Sequence, residues 1–347
     1  MEWRPDLYAK RKPFLAVRSK VIKATRAYFD AEGFEEVETP CLQISPGNEV
    51  HLQAFRTELK SPHGDVPPLT LYLHTSPEFA MKKLLVAGEP KIYQIAHVFR
   101  NGERSSRHHP EFAMIEWYRA GATLQDIMQD CMALTRACAT TSGKTVFEAN
   151  GMRCDPFAQW QTLSVPDAFT HYAGIDLMAS IRDPQTYDTK ALRQAVQDKG
   201  FRVTDEDSWD DIFFRILGDV IEPNLGKDAP TFLTDYPVSM AALARPNPNE
   251  PRLANRFELY MAGYEIANAF DELTDPEEQL RRFEADMDLK EELHGERYPI
   301  DMDFVAALRH GMPASAGIAL GIDRLVMLCA GAETIEEVQW LPVATAP

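Results

Sequence analysis

The 347-residue chain carries 36 Lys+Arg against 53 Asp+Glu, a formal charge of −17, and 45% of its residues are apolar. That length and apolar content support a full core, in one large domain or two ordinary ones, and exclude disorder. The acidic balance argues against a general nucleic-acid-binding surface, which needs basic side chains, and no stretch reaches the ~18 apolar residues of a membrane span.

The opening segment MEWRPDLYAKRKP has charges but no apolar h-region, so no signal peptide is expected. Five scattered cysteines (Cys41, Cys131, Cys138, Cys154, Cys329) without a CxxC predict reduced thiols in a cytoplasmic protein, with neither a disulfide framework nor a zinc site. Apolar residues recur at helical spacing from Phe14 to Glu32, and Gly33 supplies a stop. FEEVETP (34–40), HLQAFRTEL (51–59) and LTLYLHT (69–75) read as strands between turn-rich connectors. SPEFAMKKLLVAG predicts a helix with Pro77 in its first turn and Gly88 just past its end. KIYQIAHVFR (91–100) and EFAMIEWYRA (111–120) are strand-like and joined by a loop rich in Arg and His.

From about 122 to 225 the pattern is helical, best at Leu124–Ala139, Lys190–Lys199 and Trp209–Ile221. Strand signals return at TFLTDYP (231–237), and RFELYMAGYEIANAF reads as a hairpin. Helices follow over 276–294 and 301–310, then a Gly-punctuated strand-to-helix passage at 315–331. Strands at both ends with helices between predict an α+β fold with a mostly antiparallel sheet, as one domain over 1–347 with a helical insertion at roughly 122–225.

Three constellations carry chemistry. The loop after residue 99 offers Arg100, Arg104, Arg107, His108 and His109, and guanidinium groups match phosphate oxygens bidentately. Phe112 and Tyr118 on the returning strand add aromatic surface that can stack a base. In the hairpin, an Ala262-Gly263 turn sets Tyr260 opposite Glu265 and makes Glu258 and Glu265 diagonal neighbours, a pair suited to Mg²⁺. Glu272 lies seven residues beyond Glu265 and shares their pocket only if the strand bulges between them. In GIALGIDRLVML (317–328), small residues admit a close backbone approach and Arg324 stands just inside an apolar helix. Each pattern alone also fits a bland reading: a solvated basic turn, exposed strand carboxylates, a salt-bridge arginine. Together they are equipment for activating a carboxylate with ATP, with Glu78 placed to read an amino group.

EGFEEVETP, TSPEFAMKKLL, FRN…RHHPEF…EWY, EIANAFDELTD and GIALGIDRLVML, collinear over about 14–340, resemble the catalytic domain of class II lysyl-type aminoacyl-tRNA synthetases. A free-standing domain of this length, starting too early to leave room for an anticodon-reading module, is similar to the elongation factor P β-lysine ligase family. The resemblance implies adenylation of (R)-β-lysine by ATP with Mg²⁺, transfer to a lysine of elongation factor P, a homodimer built at motif 1 (Pro40), and no tRNA or membrane partner. It implies that Arg100 and Arg324 serve catalysis, that Arg107 and Arg324 hold the outer phosphates or the adenine face, and that Phe112 stacks on the base opposite Arg324. Asn101, Glu103, His108, His109, Glu265, Ile266 and Gly321 complete the nucleotide set; Ser76, Pro77, Glu78, Tyr118, Asn268, Glu272 and Ala319 form the substrate pocket; Glu258 and Glu265 hold the metal.

Four positions depart from the family pattern. Glu103 stands one residue late, after Gly102. His109 replaces an Asn. Ala269 replaces a Gly, so a backbone needing φ > 0 there would be strained. Ala319 stands where lysyl-tRNA synthetases have Gly and the ligases have Ala, a methyl worth roughly 1–3 kcal/mol of discrimination against α-lysine. The alternatives are a lysyl-type fragment that charges tRNA with α-lysine and a non-catalytic regulatory paralogue.

Overall fold

The structure, a computed structural model, describes residues 3–344. The chain divides into two compact units, 1–143 with 273–347 and 144–272. The expected insertion is thereby apportioned differently. Its first helix, Leu124–Ser142, belongs to the first unit, and the second unit extends through the hairpin to Glu272.

In the first unit, strands Glu35–Glu36, Lys91–Phe99, Glu111–Ala120 and Ser315–Leu320 lie side by side in that order. The outer pair is parallel and the rest antiparallel. Period-2 alternation gives this sheet two faces. One packs on helices: Phe29 of the helix Pro5–Ala31 stacks on Tyr93 at 4.5 Å, and the Trp117 indole N–H donates to buried Asp130 of Leu124–Ser142 at 3.2 Å. The other face carries Ile92, Gln94, Ala96 and Val98 opposite Tyr118, Glu116, Met114 and Phe112. The first helix starts at Pro5, well before Phe14, because a proline at the first position is pre-set for helix and Pro13 is accommodated inside it. Of the expected strand 34–40 only Glu35–Glu36 pairs. The helix Glu78–Ala87 begins one residue after Pro77 and ends at Gly88, φ 112, a left-handed cap. A small sheet of Leu42–Gln43, Leu69–Leu73 and Phe55–Leu59 completes the unit with helices Pro276–His294, Met302–Gly311 and Ile322–Ala330.

In the second unit, Gln161–Ser164 pairs in parallel with Thr231–Pro237, followed by Leu253–Met261 and Tyr264–Asp271, both antiparallel. The segment 144–225 is less helical than expected, since it also holds the hairpins 147–154 and 181–187. Its core is an aromatic stack in which Phe213 lies 5.2 Å from Phe169 and 5.3 Å from Trp209. All five cysteines are free thiols, and only Cys41 is exposed. Among the described residues, no helix is long and apolar enough to cross a membrane.

Candidate active site

Of the residues expected to form the substrate pocket, the first unit holds Ser76, Pro77, Glu78, Tyr118 and Ala319. Ser76 precedes the helix Glu78–Ala87, which places Glu78 and Lys82 one turn apart, and the two form a buried ion pair. Across from them stands Glu116, fully buried and the one charged residue within the stretch 112–118 of its strand. The Ser76 hydroxyl donates to Glu116 Oε1 at 2.6 Å and the Tyr118 hydroxyl to Oε2 at 2.8 Å. Burial first, and then the neighbouring Glu78 charge, push the Glu116 carboxyl up to about 8. At neutral pH it therefore holds its proton, beside the Glu78–Lys82 ion pair. Ala319 lies directly opposite Glu116 on the adjacent strand and therefore on the same sheet face.

The segment 43–49 lies beside Ser76 and Glu78, where Ser45, Gly47 and Glu49 line a small pocket with Thr75, Ser76, Pro77 and Glu78. Gly47 has φ +128, and a Cβ there would crowd the Glu49 carboxylate and stand 3.0 Å from Thr75 Oγ1, so any other residue would be strained by the backbone alone. Fully buried Lys290 pins the next residues by donating to the carbonyls of Val50 (2.9 Å) and Leu52 (2.6 Å).

The basic loop occupies the other end of the same sheet face. The Arg100 guanidinium lies over the Phe112 ring, 5.2 Å from its centroid, and its buried Nε has no hydrogen-bond partner among the described residues. Asn101 is fixed through its backbone N–H to the Gln53 carbonyl (2.8 Å). Arg324, in the first turn of the helix that Gly321 caps, donates to His108 Nε2 at 2.9 Å. Burial, then the Arg324 charge, lowers the His108 pKa, which keeps the ring neutral with Nε2 as acceptor. Glu103 is half-buried and Arg107 exposed. His109 differs from its neighbours: it is 1% exposed, and both ring nitrogens face backbone groups.

In the second unit the hairpin turns as expected, with Tyr260 opposite Glu265 and Met261 opposite Tyr264. Its register then shifts. Leu259 faces Ala267 and Glu258 faces Asn268, so Ile266 is an extra residue, a β-bulge. The diagonal relation of Glu258 and Glu265 expected from a regular ladder is thus replaced, although both stay on the face that carries Tyr260. The bulge also inverts the alternation beyond it, which brings Asn268 and, four residues on, fully buried Glu272 to the Glu258 face. Ala269 sits inside this strand without a positive φ, so the strain expected of a Gly replacement does not arise.

Glu258 is held by three donors: the Tyr236 hydroxyl (2.5 Å), the Tyr260 hydroxyl (2.6 Å) and the Arg256 guanidinium. Arg256 also donates to Asn268 Oδ1 at 3.1 Å and lies 4.2 Å from the Tyr236 ring centroid. A carboxylate offers about four lone-pair sites, so Glu258 retains room for one more bond. Among the described residues no group of three or more His, Cys, Asp or Glu surrounds a metal position. Two carboxylates on one face fit a cation that arrives with phosphates and water, which is how Mg²⁺ is usually bound. Glu116, Lys82, Arg256 and Tyr236 were not anticipated. A lone charged residue in a buried, otherwise uncharged stretch of strand is the signal that marks Glu116.

The chain belongs to the class II tRNA synthetase family of the D, K and N type, whose family model matches residues 7–345. It is 36% identical over 346 residues to the elongation factor P–(R)-β-lysine ligase of Haemophilus ducreyi, covering 100% of this chain and 98% of the relative. The enzyme of the same name from Vibrio vulnificus is 37% identical, with 99% of each chain covered. The lysine–tRNA ligase of Pelotomaculum thermopropionicum is also 37% identical, but the match covers 96% of this chain and 63% of that protein.

Proposed function

We propose that this protein is an ATP-dependent ligase that adenylates (R)-β-lysine and transfers it to the ε-amine of a lysine on elongation factor P. One arrangement supports the reading: buried Glu116, bonded to Ser76 and Tyr118, shares a sheet face with Phe112, over which Arg100 lies. Glu116 lies four residues along the strand from Phe112, about 13 Å at ~3.3 Å per residue. That is on the order of the span of a diamino acid joined to a nucleotide.

The amine end works by charge exchange. A substrate ammonium entering beside Glu78 and Glu116 favours the ionised form of Glu116, which releases its proton and offsets the ammonium charge. Tyr118, Ser76 and Pro77 border that end, and Asn268 and Glu272 are assigned to the second amino group. At the other end the substrate carboxylate oxygen attacks the α-phosphorus and pyrophosphate leaves. Arg100 stabilises the charge that develops there, while Phe112 and Arg324 hold the base and Arg107, Asn101, Glu103 and His108 the remaining nucleotide contacts. In the second step the acceptor lysine amine attacks the acyl carbon and AMP leaves. Mg²⁺, held with ATP by Glu265 and Glu258, would neutralise phosphate charge. Pro40 and its neighbours are assigned to a homodimer contact.

ATP–pyrophosphate exchange tests the reading. Exchange is expected with (R)-β-lysine above α-lysine, with about one proton released on amino acid binding at pH 7, and with a loss of 10²–10³-fold in Arg100→Ala, the usual cost of one such donor. Purified elongation factor P should gain the mass of one β-lysyl group. No exchange with any amino acid sinks the proposal. Faster exchange with α-lysine would point to the lysine–tRNA ligase reading.

A further inference from the structure

Residues 334–343 lie along the basic loop and are bonded to it at four points. The Ile335 N–H donates to the Ser106 carbonyl (2.8 Å), Arg104 Nη2 to the Val343 carbonyl (3.1 Å), Gln339 Nε2 to the Glu111 carbonyl (3.1 Å), and the Val343 N–H to His109 Nε2 (3.2 Å). The same segment is tied to the long first helix, since Arg11 donates to the Gln339 carbonyl (3.0 Å) and Arg18 to the Val338 carbonyl (3.1 Å). Arg18 also pairs with Asp323, the residue before Arg324 (2.5 Å). The loop that bears the arginines is thus clamped between its own strands and a C-terminal strap.

His109 is the pin of that clamp. Because Nε2 accepts from Val343, the ring hydrogen must sit on Nδ1, which donates to the Glu111 carbonyl at 2.6 Å. One neutral imidazole therefore joins the loop to itself and to the strap. We propose that His109 is a positioning residue for nucleotide binding, acting by fastening the segment 334–343 over the loop 104–111, and that it does not contact ATP. This rests on the reading that the Arg100–Arg107 loop holds the nucleotide. The physical logic is pre-organisation. A loop with this many like charges samples open arrangements, and a strap that removes them lowers the cost of ordering the loop on the nucleotide.

Two side-chain replacements separate the two bonds. An Asn amide reaches about as far as Nδ1 and a Gln amide about as far as Nε2. His109→Asn should keep the Glu111 bond and lose the strap, whereas His109→Gln should keep the strap. In the full-length enzyme, His109→Asn and a chain ending at Leu341 should raise KM for ATP about three- to tenfold, the worth of one hydrogen bond. Their kcat should change less than about twofold, and His109→Gln should stay near the parent. A second readout does not depend on activity: trypsin should cut after Arg104 or Arg107 several-fold faster in His109→Asn and the shortened chain than in the parent or His109→Gln. Equal cleavage rates in all four proteins overturn the strap. So does a KM shift shared by Asn and Gln. If the parent itself catalyses no exchange, the ligase reading fails and the cleavage rates alone decide the strap.

Discussion

Two buried glutamates, one in each unit, meet the same problem with opposite solutions. Glu116 and Glu258 each accept hydrogen bonds from two hydroxyls, Ser76 and Tyr118 in one case and Tyr236 and Tyr260 in the other. Glu258 also has a guanidinium of its own, Arg256, whereas the nearby Lys82 is already paired with Glu78. Two hydroxyl bonds only partly offset the loss of water around a buried charge, whereas a bonded guanidinium adds a charge-assisted bond. Glu116 is consequently the carboxyl pushed up to about 8, and its charge is held in reserve for a substrate ammonium. Glu258 is braced in advance, as suits a group that meets a cation already escorted by phosphates.

Replacing the reserved charge should give the largest effect. In the unfolded chain Glu116 ionises near 4.5, and in the native protein near 8. Native protein therefore binds the extra proton between these values, and stability falls as pH rises from about 4.5 to about 8. Glu116→Gln should remove that slope, worth at most on the order of 5 kcal/mol at 1.36 kcal/mol per pKa unit, as read by urea unfolding across that range. An unchanged slope would mean that Glu116 is ionised and that the contrast is wrong. Removing the cation from the other glutamate comes next. Arg256→Met should destabilise by about 3–5 kcal/mol, because it strands a buried carboxylate, and Glu258→Gln in the same chain should recover much of the loss.

A smaller test removes one hydroxyl. Tyr236→Phe should cost about 1.5–3 kcal/mol, the range for a hydrogen bond to a charged group, again by urea unfolding. The smallest expected effect lies opposite Glu116. Ala319→Gly opens a methyl's volume on the sheet face that carries that carboxyl and should move the ratio of α- to β-lysine exchange toward α-lysine by about 1–3 kcal/mol. If the ratio does not move, Ala319 does not shape the amine end.

Much of the architecture was legible in the residues. The strands 91–99, 111–120 and 231–237 and the helices 276–294 and 302–311 fall where hydrophobic period and caps place them. Local rules suffice there because the chain's own alternation, Pro276 and the Gly88 and Gly295 stops act within a few residues. The mixed segment 144–225 was not legible, since its short strands depend on neighbours rather than on period. The candidate site divides in the same way. Arg100, Glu78, Glu258, Glu265 and Arg324 stand out by type and spacing, and the two-residue turn at Ala262-Gly263 fixed one end of the hairpin ladder.

Sequence by itself thus determined the class of fold, the collinear motifs and the identity of the charged groups. Tertiary structure decided what those groups are worth. The extra residue at Ile266 turns Glu272 to the Glu258 face, and the strap gives His109 backbone partners instead of an open side. Burial beside Glu78 keeps a proton on Glu116 at neutral pH. The physical reason is common to all three: turn type and hydrophobic period are local properties, whereas register, burial and charge balance are sums over groups that only folding brings together.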